Sequence, residues 1–167
     1  MRSTLLIALG FAVTLPVGIH SSGLLMNYTN SVPVGVYRKS ENPIAPYAVF
    51  CLAQPAVYAA LHAGLEIPAG DCPGGVAPIL KPLIYPLPEH PLTFSARGFF
   101  FEGKLLANTA PKTHSKTGAV LQHYPFGAYG SGAWAVSDFN RDSFDSRYFG
   151  PVAPDAIRFY AKPVWTW

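Results

Sequence analysis

The chain has 167 residues, a length that fits one domain with an appendage. Half of the residues are hydrophobic and 13% are charged, which excludes a disordered chain; 17 Pro and 15 Gly scattered along it exclude a helical bundle and favour short strands joined by turns. A net charge of +3 without any dense basic run argues against nucleic acid as a partner.

The chain opens MRSTLLIALGFAVTLPVGIHSSGLLM. Arg2 precedes an uncharged apolar run over residues 5–19, and a second apolar patch covers residues 24–26. Taken through Leu25 the run reaches the about 20 residues that a spanning helix needs. A cleaved signal peptide would share the basic start, but residues 21–23 make a poor small-x-small cleavage site. Residues 1–26 are therefore expected to be an uncleaved signal anchor, a single transmembrane helix with Arg2 in the cytoplasm and the domain outside.

Residues 27–167 are expected to form one mostly-β domain. Extended segments are expected at 34–38, 47–52, 80–86, 93–101 and 133–137, each rich in β-branched or aromatic residues and flanked by Pro, Gly, Asn or Asp. FFFEGKLLA, residues 99–107, reads as a hairpin with Glu102-Gly103 at its turn. A closing strand is expected over 157–164. One helix is expected, over 55–63, ended by Gly64 in the position of a C-terminal cap. Residues 109–122 are polar and aperiodic and read as a surface loop. Cys51 and Cys72 lie 21 apart with no CxxC or Cys/His cluster, so neither a metal site nor a cofactor is expected. Outside the cytoplasm the pair would close a disulfide loop; in a reducing compartment it would stand as two buried thiols.

Three places carry candidate chemistry. Ser31 lies in NYTNSVPVGVYR, just past the apolar segment; by itself it is an ordinary turn serine. Lys81 lies inside APILKPLIY, where a buried ammonium is costly. Either it points outward from an edge strand beside Pro82, or burial lowers its pKa until the neutral amine can take a proton. The third is DFNRDSFDSRYFG, residues 138–150. It is either a solvated, salt-bridged loop or, from the alternation of Ser143, Asp145 and Arg147, one strand face carrying a hydrogen-bonding set. A hydroxyl, a lysine among Ile79, Leu80, Leu83 and Ile84, and a polar cluster together suggest a Ser–Lys dyad, in which the lysine activates the serine as nucleophile.

In chain order, N-x-T-x-S-V-P-V-G-V-Y-R, C-P-G-G-V-A-P-I-L-K-P and S-D-F-N-R-D-S-F-D-S-R-Y-F-G-P-V resemble the type I signal peptidase family, and within it the TraF-like pilin-maturation peptidases encoded by conjugative plasmids. The resemblance implies a signal-peptidase-like β domain behind its anchor, single-pass in the inner (cytoplasmic) membrane, with the catalytic domain on the periplasmic side. It implies a serine endopeptidase that matures a pilin precursor for a type IV secretion or conjugation system, by cleavage with or without cyclisation. Small residues at substrate positions −1 and −3 are expected on the same ground. Ser31 matches the family's nucleophile and Lys81 its general base. Asp145, Ser143 and Arg147 match the block that braces the lysine. Thr29 falls where a hydroxyl assists the backbone N–H of Ser31 in holding the oxyanion. Two departures stand out. Pro86-Leu87-Pro88-Glu89-His90 replaces the Pro-Gly-Asp after the lysine strand, with Glu89 standing in for the acid. Ser137-Asp138-Phe139-Asn140-Arg141 replaces Gly-Asp-Asn-Arg. Two other functions fit the same sequence: a general signal peptidase serving many exported proteins, and a non-catalytic, membrane-anchored subunit of a conjugation channel.

Overall fold

Alternating apolar residues and turn-formers lay residues 23–167, the part described by a computed structural model, into two antiparallel sheets. The larger sheet has six strands in the order β1-β2-β11-β3-β5-β10. These are β1 (Leu24–Asn27), β2 (Gly35–Ser40), β3 (Tyr47–Phe50), β5 (Ile79–Ile84), β10 (Trp134–Ala135) and β11 (Ile157–Thr166). The smaller sheet runs β8-β7-β6-β9, built from β6 (Leu92–Ser95), β7 (Gly98–Phe101), β8 (Lys104–Leu105) and β9 (Gly127–Tyr129). Trp134 joins the two. It pairs with Ile84 in the large sheet, while its ring packs on Phe99 and Tyr129 of the small one.

Between β3 and β5 the chain forms helix α1 (Gln54–His62) and β4 (Ala69–Cys72). Pro55 suits the first turn of α1, and Gly64 ends the helix at φ 74°. Gly64 donates to the Leu61 carbonyl and Leu65 to that of Ala60, the paired bonds of a Schellman cap. Val57 and Ala60 of α1 are buried, and Val57 joins Phe50, Leu52, Ala135 and Val152 in the main core. Cys51 and Cys72 are joined as a disulfide, which ties the far end of this excursion back to the end of β3. At full burial each large apolar side chain contributes roughly 1.5–3 kcal/mol.

Several elements differ from their expected form. Residues 24–26, attached to the anchor on sequence grounds, are strand β1 and pair with β2, from Leu24 opposite Arg38 to Asn27 opposite Gly35. Residues 1–22, which carry the rest of the expected anchor, lie outside the described residues, and no described helix is long and apolar enough to cross a membrane. The segment 93–101 is two strands, because the chain reverses over Ala96 and Arg97; the Ser95 hydroxyl accepts from Arg97 N–H and stabilises that turn. The expected hairpin is β7–β8, turning at Glu102 and Gly103. Thr109 belongs to the core rather than to a surface loop. It is buried, and its hydroxyl accepts from Phe99 N–H and donates to the Leu106 carbonyl.

Candidate active site

The loop between β1 and β2, residues 28–34, presents Ser31. Buried Val32 anchors it from beneath, and the Tyr37 hydroxyl donates to the Pro33 carbonyl at 2.6 Å. The loop leaves through Gly35, where a Cβ would lie 2.2 Å from the Trp165 carbonyl oxygen, so only glycine lets β2 and β11 approach here. Buried Asn27, the last residue of β1, holds the loop from inside. Its Nδ2 donates to the carbonyls of Thr29 (2.8 Å), Val32 (3.3 Å) and Pro33 (3.1 Å). Its Oδ1 accepts from Thr29 N–H (3.1 Å) and from the Thr29 hydroxyl (2.7 Å).

Lys81 sits on β5, opposite Ala48 of β3, whose small side chain leaves room beside the long amine-bearing one. β5 lies between β3 and β10, so the alternative of an outward-pointing lysine on an edge strand does not apply. Only 4% of Lys81 is exposed. Ile79 and Leu80 line the cavity around it, whereas Leu83 packs into the main core and Ile84 beneath the small sheet. Burial pulls the amine from 10.5 down to about 8; the nearby Asp145 carboxylate opposes that fall and the Arg147 guanidinium adds to it. The Lys81 Nζ donates to Ser143 Oγ at 2.6 Å.

The third group folds around a buried ion pair. Asp145 caps the short helix α2 (Ser146–Phe149), accepting from Arg147 N–H, so the alternation of Ser143, Asp145 and Arg147 is not a strand face. The Arg147 guanidinium meets both carboxylate oxygens of Asp145, at 2.8 and 2.9 Å. It also donates to the carbonyls of Ser143 (2.7 Å), Asn108 (2.9 Å) and Arg141 (3.2 Å). Such satisfaction is what lets a charge pair lie fully buried. Ser146 Oγ accepts from Ala135 N–H at 2.8 Å, locking the block onto β10.

Ser137 connects these pieces. Its N–H donates to Asp145 Oδ2 at 3.0 Å and its hydroxyl to the carbonyl of Ser31 itself. One chain of polar contacts thus runs from the Ser31 backbone through Ser137, Asp145, Arg147 and Ser143 to the Lys81 amine. Ser31, Thr29, Lys81 and Ser143 all line one cavity of about 670 Å³, whose walls are mostly apolar and include Leu52, Leu65, Ile67 and Phe144. Its rim carries an ion triad in which Asp142 pairs with both Lys112 and Lys116. A serine hydroxyl, a buried amine and a mostly apolar cavity shared by both are the parts that nucleophilic catalysis on a peptide uses.

Some residues stand apart from their expected roles. Glu89 is exposed in the turn between Leu87 and His90 and does not line the cavity, so it offers no acid to the site. The Thr29 hydroxyl has one proton, and it goes to Asn27. Among the described residues no three His, Cys, Asp or Glu side chains come together to hold a metal. The sequence carries no signal for the contacts of Asn27 and Ser137 with the Ser31 loop, because it shows them only as a turn-former and as the first letter of a polar run.

The chain is 33% identical over 161 residues to a plasmid transfer protein TraF of Escherichia coli, covering 93% of this chain and 90% of that protein. This chain is a member of the TraF family of plasmid transfer proteins. A second Escherichia coli TraF is 32% identical over 163 residues, covering 95% and 92% of the two chains. The conjugal transfer protein TraF of Agrobacterium tumefaciens is 28% identical over 172 residues, covering 99% and 97%. No family model matches this TraF-family chain, and no solved structure matches it.

Proposed function

We propose that this TraF-family chain is a serine endopeptidase acting in plasmid conjugation through a Ser31–Lys81 dyad. The observation that carries the reading is the polar chain joining the Ser31 backbone to a buried Lys81 whose pKa is lowered to about 8. A general base needs a pKa near the working pH, and an ordinary lysine lies too high. The apolar cleft supports an extended peptide as substrate.

In this mechanism the neutral Lys81 amine takes the Ser31 hydroxyl proton as Oγ attacks the scissile carbonyl. The backbone N–H of Ser31 holds the developing oxyanion, a contribution on the order of 3 kcal/mol for a well-placed donor. The resulting ammonium then protonates the leaving amine, and an acyl-enzyme ester remains on Ser31. Water, or the amino end of the same substrate, releases it. Ser143, Asp145 and Arg147 hold Lys81 in place. The substrate is a pilin precursor or another exported protein, met at the outer face of the inner membrane, to which an N-terminal anchor tethers the domain.

The test is the intact mass of the pilin from conjugation-competent cells carrying wild type, Ser31→Ala or Lys81→Ala. Shortened pilin with wild type and precursor with both variants is the expected result, and a product lighter than the linear fragment by one water would reveal ring closure. Equal processing by all three would remove the dyad and leave the channel-subunit reading.

A further inference from the structure

Asn27 is a buried amide whose polar atoms are all turned to one loop, the loop that carries Ser31. Three carbonyls converge on its Nδ2, and they belong to the residues two before, one after and two after the serine. Left without that donor, they would repel one another and turn outward to water. Among the described residues, the loop's other side-chain hydrogen bonds come from the Tyr37 hydroxyl to Pro33 and the Ser137 hydroxyl to Ser31. Thr29 is exposed, yet its N–H and hydroxyl both point inward to Asn27 Oδ1 rather than into the cleft.

We propose that Asn27 is the positioning residue of the nucleophile loop, and that the Thr29 hydroxyl belongs to this brace instead of donating to the oxyanion. The proposal rests on the Ser–Lys peptidase reading. Asn27 acts through the loop, since its side-chain hydrogen bonds all go to Thr29, Val32 and Pro33. It fixes the direction of Ser31 Oγ and of the Ser31 N–H, and misplacement by about 1 Å costs on the order of 100-fold in rate.

The test uses the full chain in detergent and a peptide spanning the pilin cleavage site. Wild type and Ser31→Ala in the same assay first establish whether the chain cleaves; if wild type does not, both the peptidase reading and this proposal fall. With cleavage established, Asn27→Ala is expected to lower kcat about 100-fold with KM within about threefold and the pH midpoint unmoved, since Lys81 is untouched. Asn27→Asp, which keeps the acceptor for Thr29 and loses the donor to the three carbonyls, is expected to fail as badly. Thr29→Val should lose less than about tenfold, and nothing further in an Asn27→Ala background, because brace members are not additive. An Asn27→Ala protein that folds and cleaves at the wild-type rate overturns the proposal. So does a Thr29→Val loss of about 100-fold or more that adds fully to that of Asn27→Ala, which is the signature of an independent oxyanion donor. If Asn27→Ala does not fold, Thr29→Val decides by itself, since Thr29 is exposed: a loss under about tenfold supports the brace, and one of about 100-fold or more overturns it.

Discussion

Lys81→Met separates what the lysine does for chemistry from what it does to the fold. Methionine has a similar length, no charge and enough flexibility to fill the same slot. In the wild type, burial brings the amine from 10.5 to about 8, which corresponds to about 3 kcal/mol against the charged form inside the protein. At neutral pH the folded chain bears that cost. Methionine removes it but leaves Ser143 Oγ without its 2.6 Å partner, a loss of about 1 kcal/mol. The net expectation at pH 7 is a variant more stable by about 2 kcal/mol, or roughly 4–8 °C in Tm for a domain of this size. The sign follows from proton counting. Between about pH 8 and 10.5 the unfolded lysine keeps its proton while the folded amine has released it, so wild-type stability rises with pH through that window. The advantage of the variant is therefore full below about pH 8, shrinks through that window, and turns into a deficit of about 1 kcal/mol above 10.5, where only the lost Ser143 bond remains. Tyr37, pushed up to about 12 by burial, is shared by both proteins and cancels in the difference. Thermal unfolding of both chains by circular dichroism, from pH 6.5 to 10.5, measures it. A Lys81→Met chain less stable than wild type at pH 7, or an advantage that does not shrink with pH, would refute the reasoning.

Peptide cleavage by the wild type is expected to rise about tenfold per pH unit and level off near pH 8, as the Lys81 amine loses its proton. A kcat/KM profile that is flat or falling from pH 6 to 9 excludes Lys81 as the base. Replacing both Cys51 and Cys72 by serine should lower the unfolding free energy by about 3 kcal/mol, read from the urea midpoint; an unchanged midpoint would mean that α1 and β4 hold without the cross-link. Arg147→Lys should destabilise by about 3–5 kcal/mol, because an ammonium cannot meet both Asp145 oxygens and the surrounding carbonyls at once. A loss under about 1 kcal/mol in thermal unfolding would contradict that.

Where the signal was local, the sequence was readable. Gly64 after an apolar helical run marks the end of α1, and Glu-Gly between an aromatic run and a leucine pair marks the β7–β8 turn, since both depend on backbone conformations open to few residues. The turn at Ala96 and Arg97 was hidden because neither residue is a turn-former; a side-chain bond from Ser95 does the work that glycine or proline does elsewhere. The form of segment 143–147 is hidden for a related reason. Alternating polar residues suit a strand, but Asp145 is used as a helix cap because a buried arginine two residues on needs its carboxylate.

By itself the sequence determined a β-rich chain, the turns marked by Gly or Pro, and which residues have side chains able to react: Ser31 in a turn, Lys81 in an apolar run, and a dense polar block. Those follow from composition, backbone preference and spacing along one strand. Only the tertiary structure decided that Lys81 lies on an interior strand, that Ser143 is its partner 62 positions away, and that Ser137 reaches back 106 positions to the Ser31 carbonyl. Those contacts join segments that the chain closes on each other only when the strands pair, so no local rule carries them. The lowered pKa of Lys81 arises at the same level, because desolvation belongs to the assembled interior and not to the lysine or its neighbours in sequence.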